Sequence, residues 1–384
     1  MAERYVHVEI EASQLSRKTG QPCGDVVSFE RSSAATTIVV CDGIGHGIKA
    51  NVAANLCVSR ILELLRQGYS LRKTFNSLVT TMEEAKGTDL PYAVFTLVRI
   101  LNDGVTSVLT YEMPGPIFVT SRYAQVLAQR TLTVGNCLVH EANCHTAPGE
   151  GVLVVTDGVT QAGLGRGLAS GWTIEGVGQY VSDCLSAGAA LKTISRCVLT
   201  QARDIWGETL GDDCTAALAR CRHGKTVTIL TGPPGEQSKD HETVQRFMRM
   251  EGIKVVCGGT TAQIVAKALG KELAVEQNPQ SLLAPPRYTI DGVDFVTEGA
   301  VTLNQVYNVM DEDPESFDEE SGVTELHSLL RSADRVNLLI GSAVNPATRH
   351  VSFRQKGVLT RQMILPLITE KLRQAGKLVV VENV

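Results

Sequence analysis

Residues 36–47 read TTIVVCDGIGHG, a β-branched and apolar run of the kind that fills a buried strand, ending in a carboxylate, three glycines and a histidine. An aspartate carried out on a buried strand cannot simply give its charge to bulk water, so the fold must bring something positive to it. The arrangement recurs as Gly24-Asp25, Asp42-Gly43, Asp157-Gly158 after GVLVVT, and Asp212-Asp213 in GDDCT. One Asp-Gly is ordinarily a turn, because Asp hydrogen-bonds its own backbone and Gly accepts positive φ. Four such placements in one region form a pattern. Mg²⁺ or Mn²⁺ fits it, since hard cations take carboxylate, carbonyl and water oxygens, whereas zinc calls for His or Cys spacing that these motifs lack.

At 384 residues the chain exceeds what one core usually serves, which predicts two domains. Up to about residue 222, strands are expected at 36–40, 93–100, 106–113, 116–121, 151–156 and 214–221. Apolar residues three and four apart predict a helix over 48–67, closed by Gly68, and another over roughly 70–85. Short turns such as ILNDGVTS imply antiparallel pairing, so this half reads as α+β. The polar hinge CRHGK at 221–225 marks a boundary, giving domains at 1–222 and 225–384.

Beyond the hinge, TVTILT, IKVVCG, NLLIG and KLVVVEN alternate with helical stretches near 241–251, 261–269 and 359–374, predicting a smaller α/β domain with parallel strands. DEDPESFDEESG at 311–322 is acidic and broken by proline, hence a solvated loop.

A net charge of −5 without a basic patch argues against a nucleic-acid surface. The N-terminus lacks the layout of a signal peptide and no apolar run approaches the roughly 20 residues that span a bilayer, so the expectation is a cytoplasmic protein without membrane contact. The ten cysteines lie scattered in apolar runs and contain no CxxC, which reads as reduced, buried thiols. Cys137, His140, Cys144 and His145 have zinc-like residue types, but tight spacing inside an apparent hairpin.

GD at 24–25, DGIGHGIKA at 42–50, MPGPIF at 113–118, TDGVTQA at 156–162 and GDDCTAAL at 211–218 together resemble the metal-dependent protein phosphatase superfamily (PPM, type 2C-like). The match is to its bacterial branch, typified by the sporulation stage II protein E phosphatase, and it covers roughly residues 5–222. The resemblance implies a two-sheet sandwich flanked by helices, with a two-metal centre of Mn²⁺ or Mg²⁺ at one edge. It implies that Asp42 bridges the metals, that the Gly43 carbonyl binds one of them, and that Asp25, Asp157 and Asp212 complete the set. Asp213 is the lesser ligand candidate. The implied reaction is hydrolysis of phosphoserine or phosphothreonine in a protein by metal-activated water, with no covalent intermediate. The eukaryotic branch has its proposed acid histidine two residues after the bridging aspartate. That position is Ile44 here, so His46 is assigned a hydrogen-bonding role, with proton transfer as the alternative. GLGRGLASGW at 163–172 falls at the family's flap, and Arg166 is either a phosphate contact or part of a plain turn.

In the second domain, GPPGEQSK at 232–239 follows a strand but lacks the Gly-Lys of a P-loop. Gly258-Gly259-Thr260-Thr261 leads a strand into a helix, whose free N–H groups suit a small anionic ligand; a tight turn is the alternative. Three functions remain open: an active phosphatase on a regulatory protein of the anti-anti-sigma kind, a pseudophosphatase scaffold, and a small-molecule-binding or transferase activity in the C-terminal domain.

Overall fold

The computed structural model describes residues 5–18, 20–45, 47–88, 90–275, 288–313, 316–317, 321–343 and 358–384. It divides into two compact units, Val6–His223 and Gly224–Val384, the second including Tyr5.

The first unit opens with β1 (Val6–Leu15), β2 (Asp25–Arg31) and β3 (Ala35–Gly43), followed by α1 (Ile48–Arg66) and α2 (Leu71–Gly87). Six strands follow: β4 (Ala93–Leu101), β5 (Val105–Tyr111), β6 (Ile117–Val119), β7 (Ala124–Val126), β8 (Arg130–Val134) and β9 (Cys137–His145). The unit closes with β10 (Gly151–Val155), α3 (Asp157–Thr160), α4 (Ile174–Ser186), α5 (Ile194–Trp206) and β11 (Cys214–His223).

Two antiparallel sheets result, ordered β2-β3-β4-β5-β9-β8 and β1-β11-β10-β6-β7. Their layering follows from the two-residue period of strands. In β10, Val152 and Val154 enter the core shared with β3, β4, α1 and α2, while Leu153 and Val155 enter a second core with α4 and α5. β11 divides likewise, with Ala217 and Ala219 on one side and Ala216 and Leu218 on the other. The helices α1 and α2 thus cover the six-stranded sheet, α4 and α5 cover the five-stranded sheet, and the sheets face each other. This is the sandwich that the resemblance implied. α1 begins at Ile48 as the periodicity predicted, and Ser70 caps α2 by accepting the Lys73 N–H.

The four residues of zinc-like type all lie on β9, where alternation sends Cys137 and His145 to one face and His140 and Cys144 to the other. Among the described residues no group of three or more His, Cys, Asp or Glu is arranged to hold an ion there or elsewhere.

The second unit contains β12 (Thr226–Thr231), α6 (Asp240–Arg249), β13 (Ile253–Cys257), α7 (Gly259–Leu269), β14 (Leu273–Val275) and β15 (Tyr288–Ile290). It continues with β16 (Phe295–Thr297), α8 (Ala300–Val309), α9 (Gly322–Ser332), β17 (Arg335–Ile340), α10 (Arg361–Gln374) and β18 (Leu378–Asn383). The sheet order is β14-β15-β16-β13-β12-β17-β18, with every pair from β16 to β18 parallel. Counted along the chain, the five parallel strands stand in the order 3-2-1-4-5 of a doubly wound sheet. α6 and α7 pack on one face and α8, α9 and α10 on the other.

The short edge strands β14 to β16 and the helices α8 and α9 exceed what the sequence pattern led us to expect. The acidic stretch 311–322 lies partly outside the described residues. Its end is the start of α9, where Ser321 and Thr324 form a reciprocal capping box. No helix among the described residues is long and apolar enough to cross a membrane.

Candidate active site

Antiparallel pairing of β2 with β3 places Asp25 directly opposite Asp42, so two carboxylates share one face at the end of the sheet. Asp157 is the first residue of α3, and Asp212 precedes β11, which pairs with the β10 strand leading to α3. All four carboxylates lie close enough to act on one another: Asp25, Asp157 and Asp212 each push the Asp42 carboxyl toward its protonated form.

Glycines make this convergence possible. A Cβ on Gly43 would stand 2.0 Å from the Ala50 carbonyl oxygen, and one on Gly158 would stand 2.0 Å from the Asp213 carbonyl oxygen. Each Asp-Gly therefore marks a point where two backbones touch, a tighter demand than a turn imposes. The Gly43 N–H donates to the Gly24 carbonyl at 3.3 Å, tying the two motifs together. Gly45 (φ 115°) and Gly47 (φ 67°) carry the chain from β3 into α1 in conformations that favour glycine. His46, between them, lies outside the described residues.

The remaining polar groups hold the carboxylates in place. Thr156 Oγ1 donates to Asp25 Oδ2 at 2.8 Å while accepting the Thr215 N–H at 2.9 Å. Gln161 Nε2 donates to Asp157 Oδ2 at 2.7 Å, one turn along the chain. Asp213 accepts the N–H groups of Arg17 (2.6 Å) and Gly24 (2.8 Å), so its carboxylate anchors the loop before Asp25. Thr156 and Gln161 lie inside the TDGVTQA motif, where a threonine before the Asp and a glutamine four residues after it were the available signals for these roles. Arg166 does not project as a free cation: it donates to the Trp206 and Thr209 carbonyls and to Thr209 Oγ1, and stacks on the Trp206 ring. It anchors the flap. Trp206 in turn donates to the Gly158 carbonyl at 2.9 Å.

Burial and like charge dominate the electrostatics. Burial, reinforced by Asp25, Asp157 and Asp212, pushes Asp42 up to about 10. Asp25, only 2% exposed, is pushed up to about 7 by burial despite its threonine hydrogen bonds. Burial raises Asp212 as well. Asp25 Oδ1 and Asp157 Oδ1 are buried without a hydrogen-bond partner among the described residues. Oxygen donors, negative charge and two orphaned carboxylate oxygens fit a hard divalent cation, although no three of these acids are drawn around a single point.

The two-sheet sandwich and its cluster of aspartates fall in the part of the chain whose motifs resemble the PPM phosphatases. Residues 32–222 match the family model described as stage II sporulation protein E, and this half of the chain belongs to that family. Among solved structures, the RsbU and RsbW domains of a Mycobacterium tuberculosis protein are 16% identical with a TM-score of 0.48, over 70% of this chain and 71% of that one. The PP2C phosphatase domain of SpoIIE from Bacillus subtilis, with a fragment of its regulatory domain, is 17% identical with a TM-score of 0.47, over 58% of this chain and 66% of that one. The SiaA-PP2C domain of Pseudomonas aeruginosa is 16% identical with a TM-score of 0.44, over 55% and 85%. No curated protein matches the chain.

Proposed function

We propose that residues 1–222 form a metal-dependent protein serine/threonine phosphatase domain and that residues 225–384 form a regulatory α/β domain taking a small anionic ligand. The observation that carries the first part is the convergence of Asp25, Asp157 and Asp212 on Asp42, with two buried carboxylate oxygens unpartnered. Asp42 holds the centre of the cluster, and Asp25, Asp157, Asp212 and the Gly43 carbonyl would complete a site for two Mn²⁺ or Mg²⁺ ions. Bound there, the ions would supply the Lewis acidity and charge neutralisation that phosphate-ester hydrolysis by water requires.

The chain's own residues set the geometry. Thr156 fixes the rotamer of Asp25, Gln161 fixes that of Asp157, and Asp213 holds the 17–24 loop against the cluster. The family resemblance supports a phosphoserine or phosphothreonine substrate on a cytoplasmic regulatory protein of the anti-anti-sigma kind.

The test is Mn²⁺-dependent release of phosphate from a phosphoserine peptide and from an aryl phosphate, comparing wild type with Asp42→Asn and Asp157→Asn. Turnover should require Mn²⁺ or Mg²⁺, vanish in EDTA and fall at least about 100-fold in each variant. The open placement of the acids favours a second reading, a pseudophosphatase scaffold. A folded wild type that binds no Mn²⁺ and releases no phosphate would establish it.

A further inference from the structure

Doubly wound sheets take ligands outside the C-terminal ends of their strands, at the point where strand order reverses. In the C-terminal unit that point lies between β12 and β17. After β12 the chain enters α6 on one face, whereas α10 covers the other.

The residues here are built around one side chain. Gly232 (φ +82°) lies so close to Arg361 that a Cβ would stand 1.5 Å from Nη1, and a Cβ on Gly341 would stand 2.0 Å from the Pro233 carbonyl oxygen. The guanidinium therefore lies across the end of β12. Nη2 donates to the Gly341 and Ala343 carbonyls at 2.6 and 2.8 Å, while Nε is buried without a partner among the described residues.

Beside it, Thr231 is 1% exposed and its Oγ1 is likewise unpartnered. Ile229 packs with α8 to α10 and Leu230 with α6 and α7, so strand alternation sends Thr231 toward the α10 side. There Arg361 is the first residue of α10 and Thr360 provides no side-chain cap, so the N-terminus of α10 faces the same end of the sheet, with the Met363 N–H already bonded to the Thr360 carbonyl. A buried hydroxyl, a buried guanidinium N–H and a helix N-terminus without a side-chain cap lie at the end of the sheet where strand order reverses. All can donate hydrogen bonds, and two carry positive potential.

We propose that this strand-end site binds the oxyanion of a small soluble ligand, a phosphate or carboxylate group, with Arg361 as its charge partner and Thr231 as its hydroxyl donor. The neighbouring Gly258–Thr261 turn is tied to the same loop, because the Gly232 N–H donates to Thr261 Oγ1 at 3.0 Å. The inference deepens the regulatory reading of residues 225–384 and does not depend on the phosphatase centre.

Thermal unfolding of the full chain in EDTA, which keeps divalent ions from the aspartate cluster, would be followed with inorganic phosphate, AMP or citrate against chloride at matched ionic strength. At least one should raise the Tm saturably. Arg361→Gln should weaken that response about 100-fold in concentration, and Thr231→Val about 10-fold. The free Thr231→Val protein should melt no lower than wild type, since its hydroxyl has no partner to lose. Phosphate matching AMP identifies a free ion, tighter AMP a nucleotide, and citrate alone a carboxylate ligand. No saturable shift with any of the three, or variants that respond as wild type does, would overturn the proposal.

Discussion

Two carboxylates of the N-terminal unit are buried to different ends. Glu141 lies in the middle of β9, where burial would raise its carboxyl but Arg130 and Arg72 more than reverse that and hold it below its ordinary range. Arg130, opposite it on β8, donates through Nε at 2.7 Å, and Arg72 of α2 donates to both its oxygens at 2.7 and 2.9 Å. Asp42 ends β3 among other carboxylates, and both its burial and its neighbours push it up. The chain supplies Glu141 with its countercharge, while the neighbours of Asp42 add like charge instead. The first is a structural ion pair and the second has the character of a binding site.

The largest effects should come from breaking the aspartate side of this contrast. Beyond its loss of turnover, Asp42→Asn replaces a carboxyl that must take up a proton to be buried in the metal-free cluster at neutral pH with a side chain that is already neutral. In EDTA the variant should melt about 2–4 °C higher than wild type, equivalent to about 1 kcal/mol. Mn²⁺ should then raise the wild-type Tm and leave the variant unmoved. A variant that melts lower in EDTA would mean that Asp42 is structural, as Glu141 is. On stability the larger change should come from Gly43→Ala, whose methyl would meet the Ala50 backbone at 2.0 Å. Urea unfolding should show a loss of about 3 kcal/mol, because neither backbone is free to move aside. A loss under about 1 kcal/mol would show that the β3–α1 junction yields.

Glu141→Gln should cost about 1 kcal/mol at pH 7. Because the folded-state pKa of Glu141 lies below the ordinary 4.5, its contribution is complete above that value and disappears as the pH falls through the folded pKa. The difference in urea midpoint between Glu141→Gln and wild type should therefore be constant from pH 7 to about 5 and shrink below 4.5. A difference independent of pH would assign the cost to packing and not to charge.

How far the sequence showed this contrast depends on how local each signal is. Asp42 and Asp157 were legible because each closes an uninterrupted apolar run, and their clustering was implied by the family motifs. Glu141 was not, since its arginines come from α2 and β8 and only strand register and helix packing bring them together. Thr156 and Asp213 likewise gain their roles from the pairing of β10 with β11 and from a loop nearly two hundred residues away in sequence. The main sheets of both units announced themselves by apolar runs. The three-residue strands β14 to β16 are too short to show a period, and β1 alternates charged with apolar residues because one of its faces is only half-buried. Arg166 is the converse case: a cation in a glycine-rich loop reads either as a phosphate contact or as part of a turn until the tertiary structure places Trp206 and Thr209 around it.

The smallest effect tests how Glu141 divides its charge between two partners. Arg72 is 53% exposed on its side chain and Arg130 is 60% exposed, so solvent screens both, yet each meets a carboxylate only 7% exposed. Arg72→Ala should cost about 0.5 kcal/mol at pH 7, since Arg130 remains in place as the directly opposed cross-strand partner. In the Arg130→Ala background the same substitution should cost more, because it then leaves a buried carboxylate with no cation, the condition of Asp42. A double-mutant cycle in urea measures the difference. Strict additivity would show that solvent, and not the arginine pair, neutralises Glu141, and the contrast between the two buried carboxylates would then rest on exposure alone.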